Sequence, residues 1–261
     1  DPANVKNALR AGTRIVWIET PSNPLLNIAD IEAIAAIAHA QGALLVVDST
    51  FATPVATRPI ELGADLVVHS LTKYIGGHGD AMGGSVSGSA ELLAPLRSEA
   101  LSHFGGVISP FNAWLIMRGI ATLPLRMREH AASAMAVAEF LEQHPRVKKV
   151  IYPGLTSHPQ HALAAKQMDN FSGMVSFRAA DGKAVAKRMM AELEVIHYAV
   201  SLGHHRSLIW LLSTDDLAES SYGLEGEALA RYRDVAGEGL FRFSVGLEDP
   251  EDLIADLDRV L

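Results

Sequence analysis

The chain has 261 residues, and its 22 Lys and Arg against 30 Asp and Glu give a formal net charge of −8. This acidic balance disfavours a protein that binds the phosphates of nucleic acid. Hydrophobic residues make up 49% and charged residues 20% of the chain, which predicts a folded protein with a sizeable core. The absence of cysteine excludes disulfides, thiolate metal ligands and a cysteine nucleophile within this chain.

No apolar run in the sequence approaches the ~18 to 20 residues that span a bilayer. The first residues, Asp1 to Asn4, lack the charged and apolar regions of a signal peptide. We therefore expect a cytoplasmic protein that contacts neither a membrane nor nucleic acid.

Strand and helix patterns alternate through the first half of the chain. The run Arg14–Glu19 is short, apolar and followed by prolines, which predicts a buried strand. Helical spacing of apolar residues follows from Ile31 to Ala38, with Asp30 as the N-cap. The runs 43–47 and 65–68 are apolar nearly throughout, as is typical of parallel strands covered on both faces. This alternation predicts an α/β fold with a mainly parallel sheet flanked by helices.

The pattern changes in the middle of the chain. Residues 110–143 are largely helical in pattern, and we expect interruptions at Gly119 and Pro124. We place a domain boundary near this point, which divides the chain into domains 1–125 and 126–261.

The second half predicts a smaller α+β domain. Its expected strands are Val147–Ile151, Met174–Phe177 and Leu240–Val245, and its expected helices are Lys183–Glu192, Glu227–Ala236 and Pro250–Leu261. The longest stretch without a regular pattern is Gly203–Gly226, and irregular segments of this length often carry function.

Polar side chains follow three of the predicted strands. These clusters are Glu19–Pro24, Asp48–Thr50 and His69–Lys73. Ligands of open parallel sheets bind at the carboxyl ends of the strands, so we expect all three clusters at one edge. Asp48 follows five apolar residues, and a carboxylate at that depth requires a cation or a hydrogen-bond donor.

Lys73 stands beside the hydroxyls of Ser70 and Thr72 in a segment with few charges. A desolvated amine has a lowered pKa and becomes a usable nucleophile. Pyridoxal phosphate requires a lysine for its aldehyde and an acidic partner for its pyridinium nitrogen. Taken alone, Lys73 could be a surface lysine and Asp48 could cap a turn. Taken together with the small hydroxyls, they suggest this cofactor.

Three other patterns could be mistaken for a nucleotide or a metal site. The run Gly76–Asp80 lacks the Gly-Lys-Ser/Thr ending of a nucleotide-binding loop. We therefore expect its glycines to give the backbone conformational freedom beside a crowded site. The adjacent His204 and His205 point in different directions, and no carboxylate stands at ligand spacing from them. We interpret His158 and His161, which lie among prolines, as part of a solvated turn. We therefore predict no metal site.

Four blocks of the sequence resemble the Cys/Met-metabolism pyridoxal-phosphate enzymes. In chain order they are ETPSNP at Glu19–Pro24, VDSTFATP at Val47–Pro54, SLTKYIGGHGD at Ser70–Asp80 and LFRFSVGLE at Leu240–Glu248. Four matches in order are far more specific than any single motif. The resemblance implies the aspartate-aminotransferase-like fold type I of pyridoxal-phosphate enzymes. Domain 1–125 would then be the C-terminal portion of the large cofactor-binding domain, and 126–261 the small domain.

The resemblance also implies a role for individual residues. Lys73 would bind the cofactor aldehyde covalently and move a proton, and Asp48 would pair with the pyridine nitrogen. Other cofactor contacts would be Ser70 and Thr72 at the phosphate, Asn23 beside the ring oxygen, and Thr50. Arg242 would bind the substrate carboxylate, which suits a planar bidentate cation, and Ser201 would assist it.

The implied activity is a carbon–sulfur lyase that converts L-methionine to methanethiol, 2-oxobutyrate and ammonia by α,γ-elimination. γ-Replacement, as in cystathionine γ-synthases and homoserine-ester sulfhydrylases, stays open, as does cystathionine γ-lyase activity, because these enzymes share the matched residues. Residues 204–233 depart from the Pro-Ala-Ser segment of many family members, in a region that partly determines substrate choice. An aminotransferase and a non-catalytic fragment that only dimerises or binds cofactor poorly are the remaining classes.

The resemblance implies a homotetramer of two tight dimers whose active sites are completed across the subunit interface. In the family, residues that precede the matched region supply a ring-stacking tyrosine and phosphate contacts donated by a neighbouring subunit. We therefore expect the chain to be the C-terminal two thirds of a longer enzyme that acts on a small amino acid.

Overall fold

The computed structural model describes residues 1–220 and 222–261. Within these residues the strands form two sheets. The first sheet consists of β1 (Ile15–Glu19), β2 (Leu44–Asp48), β3 (Leu66–Ser70) and β4 (Gly84–Gly88). The second consists of β5 (Val147–Ile151), β6 (Met174–Ala179), β7 (His197–Tyr198), β8 (Leu208–Ser213) and β9 (Gly239–Ser244).

Helices connect and cover both sheets. In chain order they are α1 (Pro2–Ala8), α2 (Ile31–Ala40), α3 (Thr53–Ala56), α4 (Ala90–Arg97), α5 (Pro110–Gln143), α6 (His161–Gln167), α7 (Gly182–Glu192), α8 (Thr214–Glu219), α9 (Gly226–Ala236) and α10 (Pro250–Val260). Across the described part of the chain, no helix combines the length and the hydropathy needed to cross a membrane.

The first sheet has the order β1-β2-β3-β4, in which β1, β2 and β3 are parallel and β4 is antiparallel. The predicted α/β class with a mainly parallel sheet is confirmed. Leu45 and Val47 of β2 pack with Ile31 and Ile34 of α2 in one core cluster, all nearly inaccessible to solvent. Asp30 caps α2 as predicted, since its carboxylate accepts a hydrogen bond from the Ala33 amide at 3.0 Å.

The second sheet has the order β5-β6-β9-β8-β7. Phe177 of β6 and Phe241 of β9 stack with their ring centroids 5.1 Å apart, and Phe243 is buried in the same core cluster. Strand residues alternate between faces, so Arg242 points away from this core. The sequence pattern of β9 therefore places an arginine on the face opposite the phenylalanines.

The expected interruptions of the long helix at Gly119 and Pro124 are wrong. Helix α5 is continuous over 34 residues, and neither Gly119 nor Pro124 interrupts it. At Gly119 an added Cβ would lie 2.2 Å from the Gly76 carbonyl oxygen. The glycine therefore allows α5 to approach the backbone of Gly76 closely and does not break the helix. Pro124 removes only one hydrogen bond of this long helix. The expected boundary between 1–125 and 126–261 falls inside α5, and the division into domains stays a prediction.

The segment Gly203–Gly226 is not irregular throughout, because it contains β8 and α8. Leu208 and Ile209 of β8 are buried and pair with β9, and this long-range pairing is not visible in a local pattern. His158 is also buried rather than solvated, and His161 begins α6 with its Nδ1 2.9 Å from the Pro153 carbonyl oxygen.

The segment Leu71–Ile75, which carries Lys73, is an irregular helical turn held by a buried arginine of α5. The Arg126 guanidinium donates to the carbonyl oxygens of Tyr74 at 2.7 Å, Ile75 at 3.2 Å and Gly119 at 2.8 Å. Burial lowers the pKa of this arginine, and the three carbonyls replace part of its lost hydration. Arg126 therefore ties the lysine segment to the long helix.

We expect Arg126→Met to destabilise the protein, because the variant leaves three buried carbonyl oxygens without their donor. The loss should be about 2 to 4 kcal/mol of folding free energy. It is measured as a lowered urea midpoint of the full-length protein by circular dichroism. Arg128→Met, on the exposed side of the same helix, is the control. Equal midpoints for the two variants would show that these bonds do not contribute to stability.

Candidate active site

The carboxyl ends of β1, β2 and β3 bring the three predicted polar clusters to one edge of the first sheet. Glu19 is the register partner of Asp48 across the parallel pair of β1 and β2. The Thr50 amide donates to Asp48 Oδ1 at 3.0 Å, and Thr50 Oγ1 accepts from the Ser70 amide at 2.9 Å. Thr50 therefore connects the end of β2 to the end of β3 and fixes the spacing of their side chains.

Lys73 follows β3 in the irregular turn and is half-buried. Burial lowers the pKa of its amine, and the positive charge of Arg242 lowers it further. Among the described residues, the Lys73 amine has neither a hydrogen bond nor an ion pair. A partly desolvated amine that is free of partners can act as a nucleophile or as a base.

The hydroxyls near Lys73 differ in their availability. Thr72 Oγ1 donates to the Gly83 carbonyl oxygen at 3.3 Å and accepts from the Gly83 amide at 3.1 Å. The half-buried Ser70 hydroxyl has no partner in the described chain, and neither does the fully buried Ser49 hydroxyl. A free amine, free hydroxyls and a carboxylate on adjacent strands fit the aldehyde, phosphate and ring nitrogen of pyridoxal phosphate.

Arg242 reaches this edge from the second sheet. Its Nη1 donates to Asn23 Oδ1 at 3.3 Å and its Nη2 donates to the Val200 carbonyl oxygen. Asn23 Nδ2 in turn donates to the Tyr222 hydroxyl at 3.4 Å. Burial lowers the pKa of Arg242, and both of its acceptors are uncharged. The guanidinium thus keeps an unneutralised charge that suits a substrate carboxylate.

Ser201 lies in the loop before β8, on the same side as Lys73. An added Cβ at Gly203, two residues further on, would lie 3.0 Å from Lys73 Cβ. The Ser201 hydroxyl is 3.0 Å from His204 Nε2. The structure therefore brings the Ser201 loop and Lys73 into direct contact, while Asp48 and Thr50 stand at the neighbouring strand end.

Glu19 was not among the residues predicted for the site. Desolvation and the nearby Asp48 carboxylate raise its pKa to about 7, and a hydrogen bond from the Asn23 amide opposes the shift. The signal in the sequence was its position at the end of β1, beside the strand that ends in Asp48. Within the residues described here, no group of three His, Asp or Glu side chains could hold a metal ion.

The fold and the arrangement of this edge fit fold type I of the pyridoxal-phosphate-dependent enzymes. The chain belongs to the family described as Cys/Met metabolism PLP-dependent enzymes, whose model matches residues 1–261. The family resemblance and the cofactor predicted from the sequence are thereby confirmed. The roles of individual residues stay predictions.

Similar proteins carry several activities. The chain is 45% identical over 100% of its length to a canavanine γ-lyase of Pseudomonas canavaninivorans and 44% identical over 98% to an L-methionine γ-lyase of Fusobacterium nucleatum subsp. polymorphum. It is 45% identical over 97% of its length to a cystathionine γ-synthase of Mycobacterium bovis. It spans 64%, 64% and 63% of these relatives, respectively. The crystal structure of metB from Corynebacterium glutamicum matches 99% of this chain over 65% of its own, with a TM-score of 0.89 and 40% identity.

Glu19 should make the stability of the protein depend on pH. Its pKa is about 7 in the folded chain against an ordinary value of 4.5, so the folded state binds more protons between these values. Stability should therefore fall as the pH rises from about 5 to about 8. The urea midpoint of the cofactor-free protein, followed across this range, measures the effect. Glu19→Gln should flatten this pH dependence, and an unchanged profile in that variant would contradict the assignment.

Proposed function

We propose that the whole protein is a pyridoxal-phosphate-dependent carbon–sulfur lyase that acts at the γ-carbon of an L-amino acid, with L-methionine as the substrate. The observation that carries this proposal is that Lys73, an amine with a lowered pKa, lies near the guanidinium of Arg242, whose charge is not neutralised. An amino-acid substrate presents an amine and a carboxylate, which are the groups that these two side chains would receive.

The residues at the strand ends would hold the cofactor. Lys73 would bind its aldehyde and Asp48 its ring nitrogen, in an orientation that the Thr50 amide supports through its bond to Asp48 Oδ1. The free hydroxyl of Ser70 and the partly used hydroxyl of Thr72 would contact the phosphate. Asn23 would lie beside the ring oxygen, where its bond to Arg242 connects cofactor and substrate subsites.

When bound, pyridoxal phosphate withdraws electrons from the carbons next to the substrate amine. Lys73 Nζ would remove the proton from the α-carbon and give it up again before it removes one from the β-carbon, which suits an amine with a lowered pKa. Arg242 and Ser201 would hold the carboxylate and fix the orientation of the substrate. The Cγ–S bond would break, and the sulfur would leave with a proton as methanethiol. With one water, L-methionine would give methanethiol, 2-oxobutyrate and ammonia.

γ-Replacement is the second candidate, and a specific finding favours keeping it. A cystathionine γ-synthase is as similar to this chain as the γ-lyases are. The residues that would bind the amine, the carboxylate and the cofactor serve both reactions. The two differ in the leaving group and in whether water or a thiol is admitted.

The predicted homotetramer and the cytoplasmic location stay predictions. Several large apolar side chains are exposed in and before the first turns of α5, among them Phe104, Val107, Phe111, Trp114 and Met117. Surfaces of this kind are typical of contacts between protein chains. They support an assembly in which other chain segments or subunits cover this face.

The first experiment supplies L-methionine alone to the full-length enzyme loaded with pyridoxal phosphate. We expect methanethiol and 2-oxobutyrate in equal amounts, without any acceptor thiol. Canavanine and cystathionine are tested in parallel as competing substrates. Consumption of an acylated homoserine only when a thiol is present, with no product from L-methionine, would move the assignment to γ-replacement.

Substitutions separate the proposed roles of Lys73 and Arg242. Lys73→Ala should abolish the visible absorption band of lysine-bound cofactor and lower kcat by about 100-fold or more.

Arg242→Lys should raise KM for L-methionine about 10- to 100-fold, because it loses the bidentate geometry for the carboxylate. Arg231→Lys on the exposed side of α9 is the matched control. An unchanged KM in Arg242→Lys would remove this arginine from the carboxylate site.

A further inference from the structure

His204 lies in the loop before β8 and contacts two parts of the proposed site. Its Nε2 is 3.0 Å from the Ser201 hydroxyl oxygen. Its ring packs on Gly79, where an added Cβ would lie 2.3 Å from His204 Cε1. The imidazole is therefore held between the glycine-rich segment after Lys73 and the serine implied at the substrate carboxylate.

The backbone of this loop has a fixed distance from Lys73. Gly203 has a φ of +72°, and an added Cβ there would lie 2.7 Å from the Tyr74 amide nitrogen. Its own amide donates to Ser244 Oγ at 2.8 Å. Because Gly203 directly precedes His204, the imidazole and the Ser201 hydroxyl keep a defined position beside the lysine.

The charges around His204 favour its neutral form. Burial lowers the pKa of the His204 ring, and the nearby Lys73, His205 and Arg206 side chains lower it further, while Asp80 opposes them. A neutral imidazole carries one N–H. If that hydrogen is on Nε2, the ring donates to Ser201, and the serine keeps its own hydroxyl proton for another acceptor.

We propose that His204 is a positioning residue of the substrate site, which donates from Nε2 to Ser201 Oγ and directs the serine hydroxyl toward the α-carboxylate of an L-amino acid. The inference rests on the proposed function, which places that carboxylate between Arg242 and Ser201. Arg242 supplies the charge for the carboxylate, and the pair of His204 and Ser201 supplies direction. The ring adds no further cation next to Lys73 in this arrangement.

A double-variant cycle in the full-length holoenzyme tests the inference. L-Norleucine, which has the length of L-methionine but no leaving group at the γ-carbon, is titrated by calorimetry. Ser201→Ala and His204→Phe should each weaken its binding by about 10-fold, since each removes the directed hydrogen bond. The combined variant should lose about the same factor, because both changes remove one interaction.

Two His204 variants separate positioning from packing. His204→Phe keeps a ring on Gly79 without a donor, whereas the amide of His204→Gln can still donate to Ser201. Affinity for L-norleucine should stay within about 3-fold of the wild type in His204→Gln. In turnover of L-methionine, His204→Phe should raise KM about 10-fold and change kcat by less than about 3-fold. Thermal unfolding of each holoenzyme confirms that it is folded.

The outcomes distinguish this inference from the proposed function. A combined loss of about 100-fold, equal to the product of the single losses, would overturn the inference. Unchanged binding in His204→Phe would overturn it as well. A combined loss of about 10-fold in L-norleucine binding, equal to each single loss, together with no elimination of L-methionine, would overturn the proposed function alone. Wild-type holoenzyme that binds no L-norleucine would overturn both.

Discussion

The contact of the Lys73 segment with glycine backbone on two sides is the constraint on which the site depends. Gly119 of α5 approaches Gly76 so closely that an added Cβ would lie 2.2 Å from its carbonyl oxygen, and Gly203 packs on Lys73 itself. Arg126 then binds the carbonyls that follow the lysine. Parts of the chain that are far apart in sequence therefore fix the backbone of the Lys73 segment, and burial there, together with Arg242, lowers the pKa of the Lys73 amine.

The ends of β1 and β2 place two carboxylates next to each other at the edge of an apolar sheet. Asp48 accepts an amide hydrogen bond from Thr50, whereas its register partner Glu19 has its pKa raised to about 7. Two neighbouring carboxylates avoid sharing full charge when one of them takes up a proton. A proton on Glu19 removes one negative charge from beside Asp48.

The sequence predicted what is local and failed where contacts are remote. Strand β2 was predictable because the run that forms it is apolar up to Asp48, and Lys73 and Asp48 were predicted as site residues because such polar side chains are unusual after buried strands. The continuity of α5 through Gly119 depends on a contact with Gly76, and β8 depends on pairing with β9. The position of His204 follows from such contacts too, since nothing in its neighbouring residues indicates a bond to Ser201 or a ring packed on a distant glycine.

Arg242 joins the two sheets at the site, and this position has a consequence for substrate binding. Its partners, Asn23 at the end of β1 and the Val200 carbonyl, come from opposite sides of the edge, and both are neutral. Hydrogen bonds to neutral acceptors are weaker than those to a carboxylate. Under the proposed function, a substrate carboxylate would therefore be the first anionic partner of this guanidinium. Its binding would hold the second sheet in position against the first sheet.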